Sequence, residues 1–254
     1  MSRMTVCLLT GLLLAGPAAA PLDAQGITQQ QGDEILKELR GIRTALERLA
    51  APPAARPTPP SAPAPSPNVR LPKVTGYVMG RPDAPITLVE FTDLQCPFCA
   101  RFTATSFAQI KKEYIDKGLV RFVSRDFPLG MHPYAELAAR ASRCAGEQGH
   151  YWDVREALVA NYNKLNPELI AATAGNAKLD MTAFRSCLDS GRFKADVQRD
   201  MDEAATIGVE GTPTFVVGRT QADGLDGTRI VGAQPFEVFD AKFKELLAPG
   251  PAKR

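Results

Sequence analysis

The chemistry of this chain is concentrated in Cys96-Pro97-Phe98-Cys99. Two cysteines separated by two residues at a helix start can close a small disulfide, with the first sulfur exposed at the helix N-terminus and the second turned toward the protein. The N–H groups and dipole of that terminus favour an anion, so Cys96 is expected to carry a reactive thiolate at a lowered pKa. Cys99 then resolves the mixed disulfide that Cys96 forms. Pro97 falls at the first helical position, where its missing N–H costs nothing. The same spacing also supplies half of many zinc sites, but no second ligand pair is evident, so four-ligand zinc is not expected. Cu(I) held by the two thiolates is the remaining metal alternative, and no cofactor is implied.

The dithiol needs a strand behind it and a helix in front. The apolar run over residues 86–91 reads as a buried strand. Residues 100–117, with Phe102, Phe107, Ile110 and Tyr114 following Cys99, read as helix, and 120–124 as the next strand. Strand, crossing helix and strand imply parallel pairing with a right-handed crossover. Residues 74–79 form a possible edge strand. Helical segments then run over 133–146, 151–162, 167–174, 182–190 and 193–207 with no strand between them. Strands return at 214–217 and 229–232, bridged by a turn-rich loop at 222–227, and a last amphipathic helix over 235–247 closes the domain.

The N-terminal third is organised differently. Met1 to Met4 includes Arg3, and residues 5–20 are apolar and end in small side chains, the layout of a secretory signal peptide cut after Ala20 or Ala24. Cys7 falls inside that stretch and would be discarded with it. An uncleaved membrane anchor is the alternative, although the stretch is short for a full span. Residues 25–50 place Ile35, Leu39, Ile42, Leu46 and Leu49 in steps of four, three, four and three, a coiled-coil seam of about two heptads. Such a short helix is marginal alone in water, so self-association is expected; folding back on the catalytic domain is the alternative. Residues 51–67 hold eight prolines in seventeen positions, a semi-rigid spacer of roughly 50 Å when extended. The expected organisation is a signal over 1–24, a coil over 25–50, a linker over 51–72, one domain over 73–248 with a helical insertion at about 131–208, and a tail over 249–254.

Composition narrows the partners. The 254 residues carry 30 Lys and Arg against 28 Asp and Glu without a long run of either sign, so nothing suggests a nucleic-acid or anionic-lipid partner. Removing the signal leaves four cysteines, an even number suited to an exported protein. Cys144 shares a helical face with Leu137 and Ala141, and Cys187 with Phe184 and Leu188, so both point inward. A structural Cys144 to Cys187 disulfide is the reading, two buried free thiols the alternative.

The order of elements, with VEFTDLQCPFC at 89–99, RDFPL at 125–129, GTPTFVVG at 211–218 and IVGAQP at 230–235, resembles the DsbA-like family of thiol-disulfide oxidoreductases, a thioredoxin-like α/β fold with an inserted helical subdomain. The resemblance covers about residues 74–247. It implies that Thr212-Pro213 is the family's cis-proline loop, which lies across from the dithiol and pairs with an extended substrate strand. Pro97 and Phe98 join it as substrate-contacting positions. It also implies that Glu90, six residues before Cys96 in an otherwise apolar strand, is the buried acid that exchanges a proton with Cys99 through water. An unpaired carboxylate there would be costly and raised in pKa; the other reading of strand alternation points Glu90 at solvent. Strongly oxidising members carry His just before the second cysteine, where this chain has Phe98, so a less oxidising pair is expected.

His132, beside Pro133, could overlook the active site but is read as a bystander, and His150 as packing beside Trp152. The expected activity is formation, reduction or reshuffling of disulfides in exported proteins. The protein is expected to be periplasmic or otherwise exported, reset by a membrane redox partner, and homo-oligomeric through residues 27–50 with isomerase or reductase character. A monomeric oxidase, a Cu(I) carrier and an inert interaction module are the alternatives.

Overall fold

The computed structural model describes residues 28–50 and 67–248, the side chains of 47–50 excepted. The signal segment with Cys7, the start of the coil, most of the proline-rich linker, the side chain of Leu49 and the tail lie outside the described residues. The chain divides into two compact units, residues 1–62 and 63–254. In the first, α1 is a helix over Gln29–Ala50. Its seam residues Ile35, Leu39, Ile42 and Leu46 are exposed, as is Leu36.

The second unit is built on a six-stranded sheet in the order β1-β6-β5-β3-β4-β2. The strands are β1 (Asn68–Leu71), β2 (Tyr77–Met79), β3 (Ile86–Thr92), β4 (Val120–Asp126), β5 (Thr214–Arg219) and β6 (Leu225–Val231). β3 is buried along its whole length, parallel to β4 and antiparallel to β5. A strand covered on both faces has no solvent side, so even its polar residues, Thr87, Glu90 and Thr92, are buried beside the four apolar ones. The connection from β3 to β4 runs through α2 (Pro97–Phe102) and α3 (Ala108–Ile110), continued by π-helical turns over Thr103–Phe107 and Lys111–Ile115.

Two expected boundaries move. Residues 68–71, assigned to the linker, form the edge strand β1 against β6, with Leu71 opposite Leu225 and buried. The sheet thus begins before Lys73, and β6 occupies part of the expected 222–227 loop. The edge strand expected over 74–79 is restricted to Tyr77–Met79 on β4.

The helical insertion comprises α4 (Ala135–Gly146), α5 (Tyr151–Ala160), α6 (Pro167–Asn176), α7 (Met181–Ser190) and α8 (Lys194–Thr206); α9 (Phe236–Leu247) returns to the sheet. On one face of the sheet, Ile86 and Leu88 pack with Phe102, Phe107, Phe122, Phe215, Phe239 and Phe243. Val89, Phe91, Val123 and Val216 pack on the other with Ala204 of α8. Each such side chain contributes roughly 1.5–3 kcal/mol on burial. A separate core inside the insertion joins Leu94, Cys96 and Cys99 to Val154, Leu158 and Phe184, so the dithiol turn rests on the insertion.

Two further ties fix the insertion. Cys144 of α4 and Cys187 of α7 form a disulfide with Cα atoms 5.8 Å apart at a sequence separation of 43. The chain-entropy model gives such a loop about 4 kcal/mol. Arg143 of α4 binds Asp126 of β4 at 2.6 Å and Asp200 of α8 at 2.5 Å, while Arg125 pairs with Asp200 and Glu203. Each of these charges has a partner of opposite sign, the condition under which burying them is tolerable.

Candidate functional site

β3 delivers the chain to the site. It ends at Thr92, a short turn follows, and Cys96 occupies the N-cap of α2 with extended backbone while Pro97 takes the first helical position. The Cys96 N–H bonds the Asp93 carbonyl, and the Cys96 carbonyl accepts from Ala100 N–H. Across from it, β5 begins at Thr214, opposite Phe91 of β3. The preceding Thr212–Pro213 bond is cis, and the Pro213 carbonyl is held by Gly232 N–H. The resulting loop turns the Thr212 carbonyl toward Cys96 Sγ at 3.5 Å.

That contact corrects one expectation. The Cys96 sulfur was expected at the surface, yet the residue is 3% exposed, because the Thr212-Pro213 loop closes over it. The exposed members of the motif are Pro97 and Phe98, the latter at 53% with the Arg101 guanidinium 5.1 Å from its ring centroid.

The two thiols, both free, are driven in opposite directions. Cys96 is pulled down to about 5, first by the hydrogen bond from Cys99 and then by Thr212 and the backbone N–H groups of Cys99 and Phe98, against the effect of burial. Cys99 is pushed well above the ordinary thiol range by burial first, then by its bond to Cys96 and the negative charge of Glu90; the Asp93 N–H opposes this. At neutral pH the pair is therefore a thiolate held by a neighbouring thiol.

Glu90 is fully buried and does not face solvent. Nor is it unpaired: Arg155 of α5 donates from Nη2 to Glu90 Oε2 at 2.5 Å. Arg155 is itself 1% exposed, bonds Ser124 Oγ through Nε at 3.1 Å, and stacks near the rings of Trp152 and Phe122. Burial nevertheless raises the Glu90 pKa, opposed chiefly by the Arg155 charge. Sequence reasoning missed Arg155, since a single arginine in a helix reads as a solvated charge. Its signal was the adjoining Tyr151-Trp152 pair, both packed around Ser124 and the sheet.

His132 lies against the dithiol turn. Its Nδ1 lies 2.7 Å from Asp93 Oδ2, within the turn that carries the dithiol. His150, expected to pack beside Trp152, instead pairs with Asp153 at 2.7 Å on the surface, because its ring turns along its own helix start. Among the described residues no cluster of three or more His, Cys, Asp or Glu side chains has the arrangement of a metal site, and no helix is long and apolar enough to cross a membrane.

Comparison with known proteins adds the family. A family profile described as Thioredoxin matches residues 73–229. The chain is 35% identical over 164 residues to a Na(+)/H(+) antiporter NhaA 3 of Salinispora tropica, a match covering 64% of this chain and 24% of that protein. It thus spans about a quarter of the length of such antiporter relatives. It is 31% identical over 155 residues to disulfide bond formation protein D of Bacillus subtilis, covering 58% of this chain and 69% of that protein. The crystal structure of Wolbachia pipientis alpha-DsbA1 superposes with a TM-score of 0.62 at 25% identity, over 69% of this chain and 92% of that one. With its sheet, its inserted helices and its dithiol at the start of α2, the chain belongs to the thioredoxin family, among the DsbA-like thiol-disulfide oxidoreductases.

Proposed function

We propose that the protein exchanges disulfides with cysteine-containing exported proteins through Cys96 and Cys99. The observation that carries this reading is the opposed pair of thiols, a stabilised thiolate at Cys96 and a protonated partner at Cys99. In the reducing direction the Cys96 thiolate attacks one sulfur of a substrate disulfide. A Cys96–substrate bond forms, and the substrate's other sulfur leaves as a thiolate. Cys99 then gives up its proton to Glu90, attacks Cys96 Sγ, and closes the Cys96–Cys99 disulfide as the second substrate thiolate departs. Oxidation of a substrate dithiol is the same sequence reversed. In both directions Glu90 serves as a buried proton acceptor or donor whose raised pKa suits the task.

The Thr212-Pro213 loop supplies a backbone carbonyl beside the reacting sulfur, and we assign substrate-strand binding to it, with Pro97 and Phe98 as the neighbouring apolar contact. Export through the N-terminal signal and resetting by a membrane redox partner complete the cycle.

The exposed seam of α1 supports self-association. Several dithiols on proline-rich arms would suit reshuffling of misfolded chains, whereas a monomer would suit disulfide donation. Reactivation of a scrambled disulfide substrate in a fixed glutathione buffer separates these, comparing the mature chain with a version beginning at Pro67, which keeps β1. High activity that falls on truncation, while Cys96 stays reactive, marks a coil-assembled isomerase. Equal, poor reshuffling by both forms with efficient transfer of disulfides to reduced substrate marks an oxidase. A Cys99→Ala variant that accumulates no mixed disulfides rejects exchange altogether.

A further inference from the structure

Asp93 touches both cysteines and the segment over 129–132 at once. Its carbonyl accepts from Cys96 N–H at 3.1 Å, and its own N–H reaches Cys99 Sγ at 3.5 Å. Its carboxylate, fully buried, accepts Gln95 N–H at 2.7 Å, Leu129 N–H at 2.8 Å and His132 Nδ1 at 2.7 Å. Gln95 adds a parallel tie, its Oε1 accepting Tyr134 N–H at 2.8 Å. The redox turn is therefore fastened by side chains to residues 129–134. Among the described residues His132 is the one side-chain donor on the Asp93 carboxylate, and it also lines an open groove of about 710 Å³ with Leu129, Val197 and Met201.

The placement of the Asp93 N–H matters because it puts a hydrogen-bond donor directly on Cys99 Sγ, adding to the favourable charge of Arg155. The sulfur is buried, close to Cys96, and under the negative charge of Glu90. A hydrogen bond to an anion is about twice as strong as one between neutral groups, so a donor aimed at Cys99 Sγ gains strength as that thiol ionises to attack. We propose that Asp93 is a positioning residue for the resolving step, its backbone N–H held on Cys99 Sγ by the side-chain bond between its carboxylate and His132. This rests on the dithiol-exchange reading above. It separates the two half-reactions: Cys96 is activated by Cys99 and its own helix start, and Cys99 by the turn that Asp93 and His132 secure.

The test uses the full chain. Cys96 is first loaded as a mixed disulfide with a small aromatic thiol, and release of that thiol by Cys99 is timed; Cys96 alkylation by iodoacetamide is timed separately on the reduced protein. His132→Leu removes the donor at a partly exposed position, and His132→Gln restores an amide donor. The expected result is release slowed roughly fivefold in His132→Leu, part of the tenfold or more that a whole hydrogen bond to a charged group is worth. Alkylation should stay within twofold of wild type, and His132→Gln should recover most of the release rate. Unchanged release in His132→Leu overturns the proposal, as does an equal fall in both rates, or a His132→Gln variant no faster than His132→Leu when circular dichroism shows both folded. If the wild-type adduct itself releases no thiol, the exchange reading fails, and the positioning role falls with it.

Discussion

The Arg155 guanidinium of the inserted helix α5 and the Glu90 carboxylate of the central strand β3 meet at 2.5 Å in an environment closed to solvent. Replacing one partner of such a pair leaves the other charge buried and uncompensated, which typically costs about 3–5 kcal/mol. Arg155→Leu should therefore lower stability by about 3 kcal/mol or more in urea unfolding. In the Arg155→Leu/Glu90→Gln double variant most of that loss should be regained, since no unmatched charge remains. Additive losses would show that the pair is not coupled.

Glu90→Gln alone tests the proton step. If Glu90 takes the Cys99 proton as proposed, release of substrate from the Cys96 mixed disulfide should slow by more than Cys96 alkylation does, and the Arg155→Leu/Glu90→Gln variant, which leaves no unmatched charge, should show the same difference. Turnover unchanged across pH would reject the relay.

With Cys96 at about 5, its alkylation rate should be half-maximal near pH 5 and nearly flat above pH 7, where an ordinary thiol is still gaining reactivity. The linkage has a definite sign. A thiol whose pKa is depressed by folding stabilises the reduced fold above the unfolded-state value near 9, and that stabilisation is lost as pH falls through about 5. Cys99 moves the other way, and its contribution is lost only at high pH. Differential scanning calorimetry at pH 4 and pH 8 should therefore show the reduced form gaining on the oxidised form at the higher pH.

Phe98 offers no charge or donor to the thiolate. Introducing histidine there should lower the Cys96 pKa further and make the couple more oxidising, by about 30 mV for each unit of pKa. Equilibration with glutathione measures it, and an unchanged potential would show that residue 98 is too exposed, at 53%, to act on the sulfur.

Truncation reports on β1. A chain beginning at Lys73 loses buried Leu71 and uncovers β6, so it should be less stable than one beginning at Pro67 by about 2 kcal/mol for the leucine alone. Equal melting temperatures would mean that the edge strand contributes nothing.

The parts legible in the sequence were those with a local signature. β3 showed itself as an apolar run, α2 as a helix started by Cys96 and Pro97, and the insertion as helical segments without strands. β1 was hidden because four residues, Asn68–Leu71, follow a proline-rich stretch and carry no alternation long enough to read. Arg155, Asp93 and His132 were hidden for a different reason. Their partners lie 65 residues away for Arg155 and 39 for the Asp93–His132 pair, and a polar residue whose partner is that distant looks like any other surface charge until the chain is folded.

The Cys144–Cys187 bridge sits inside the same unit as a thiolate suited to opening such bonds. Both of its residues lie within the core, 1% and 2% exposed, and α4 and α7 enclose it. Attack on a disulfide requires the incoming sulfur to approach along the S–S axis, and this packing leaves no such approach from solvent to another copy's Cys96. The protein thereby carries one bond shielded from its own chemistry, and a concentrated population of these molecules should be protected from rewiring itself.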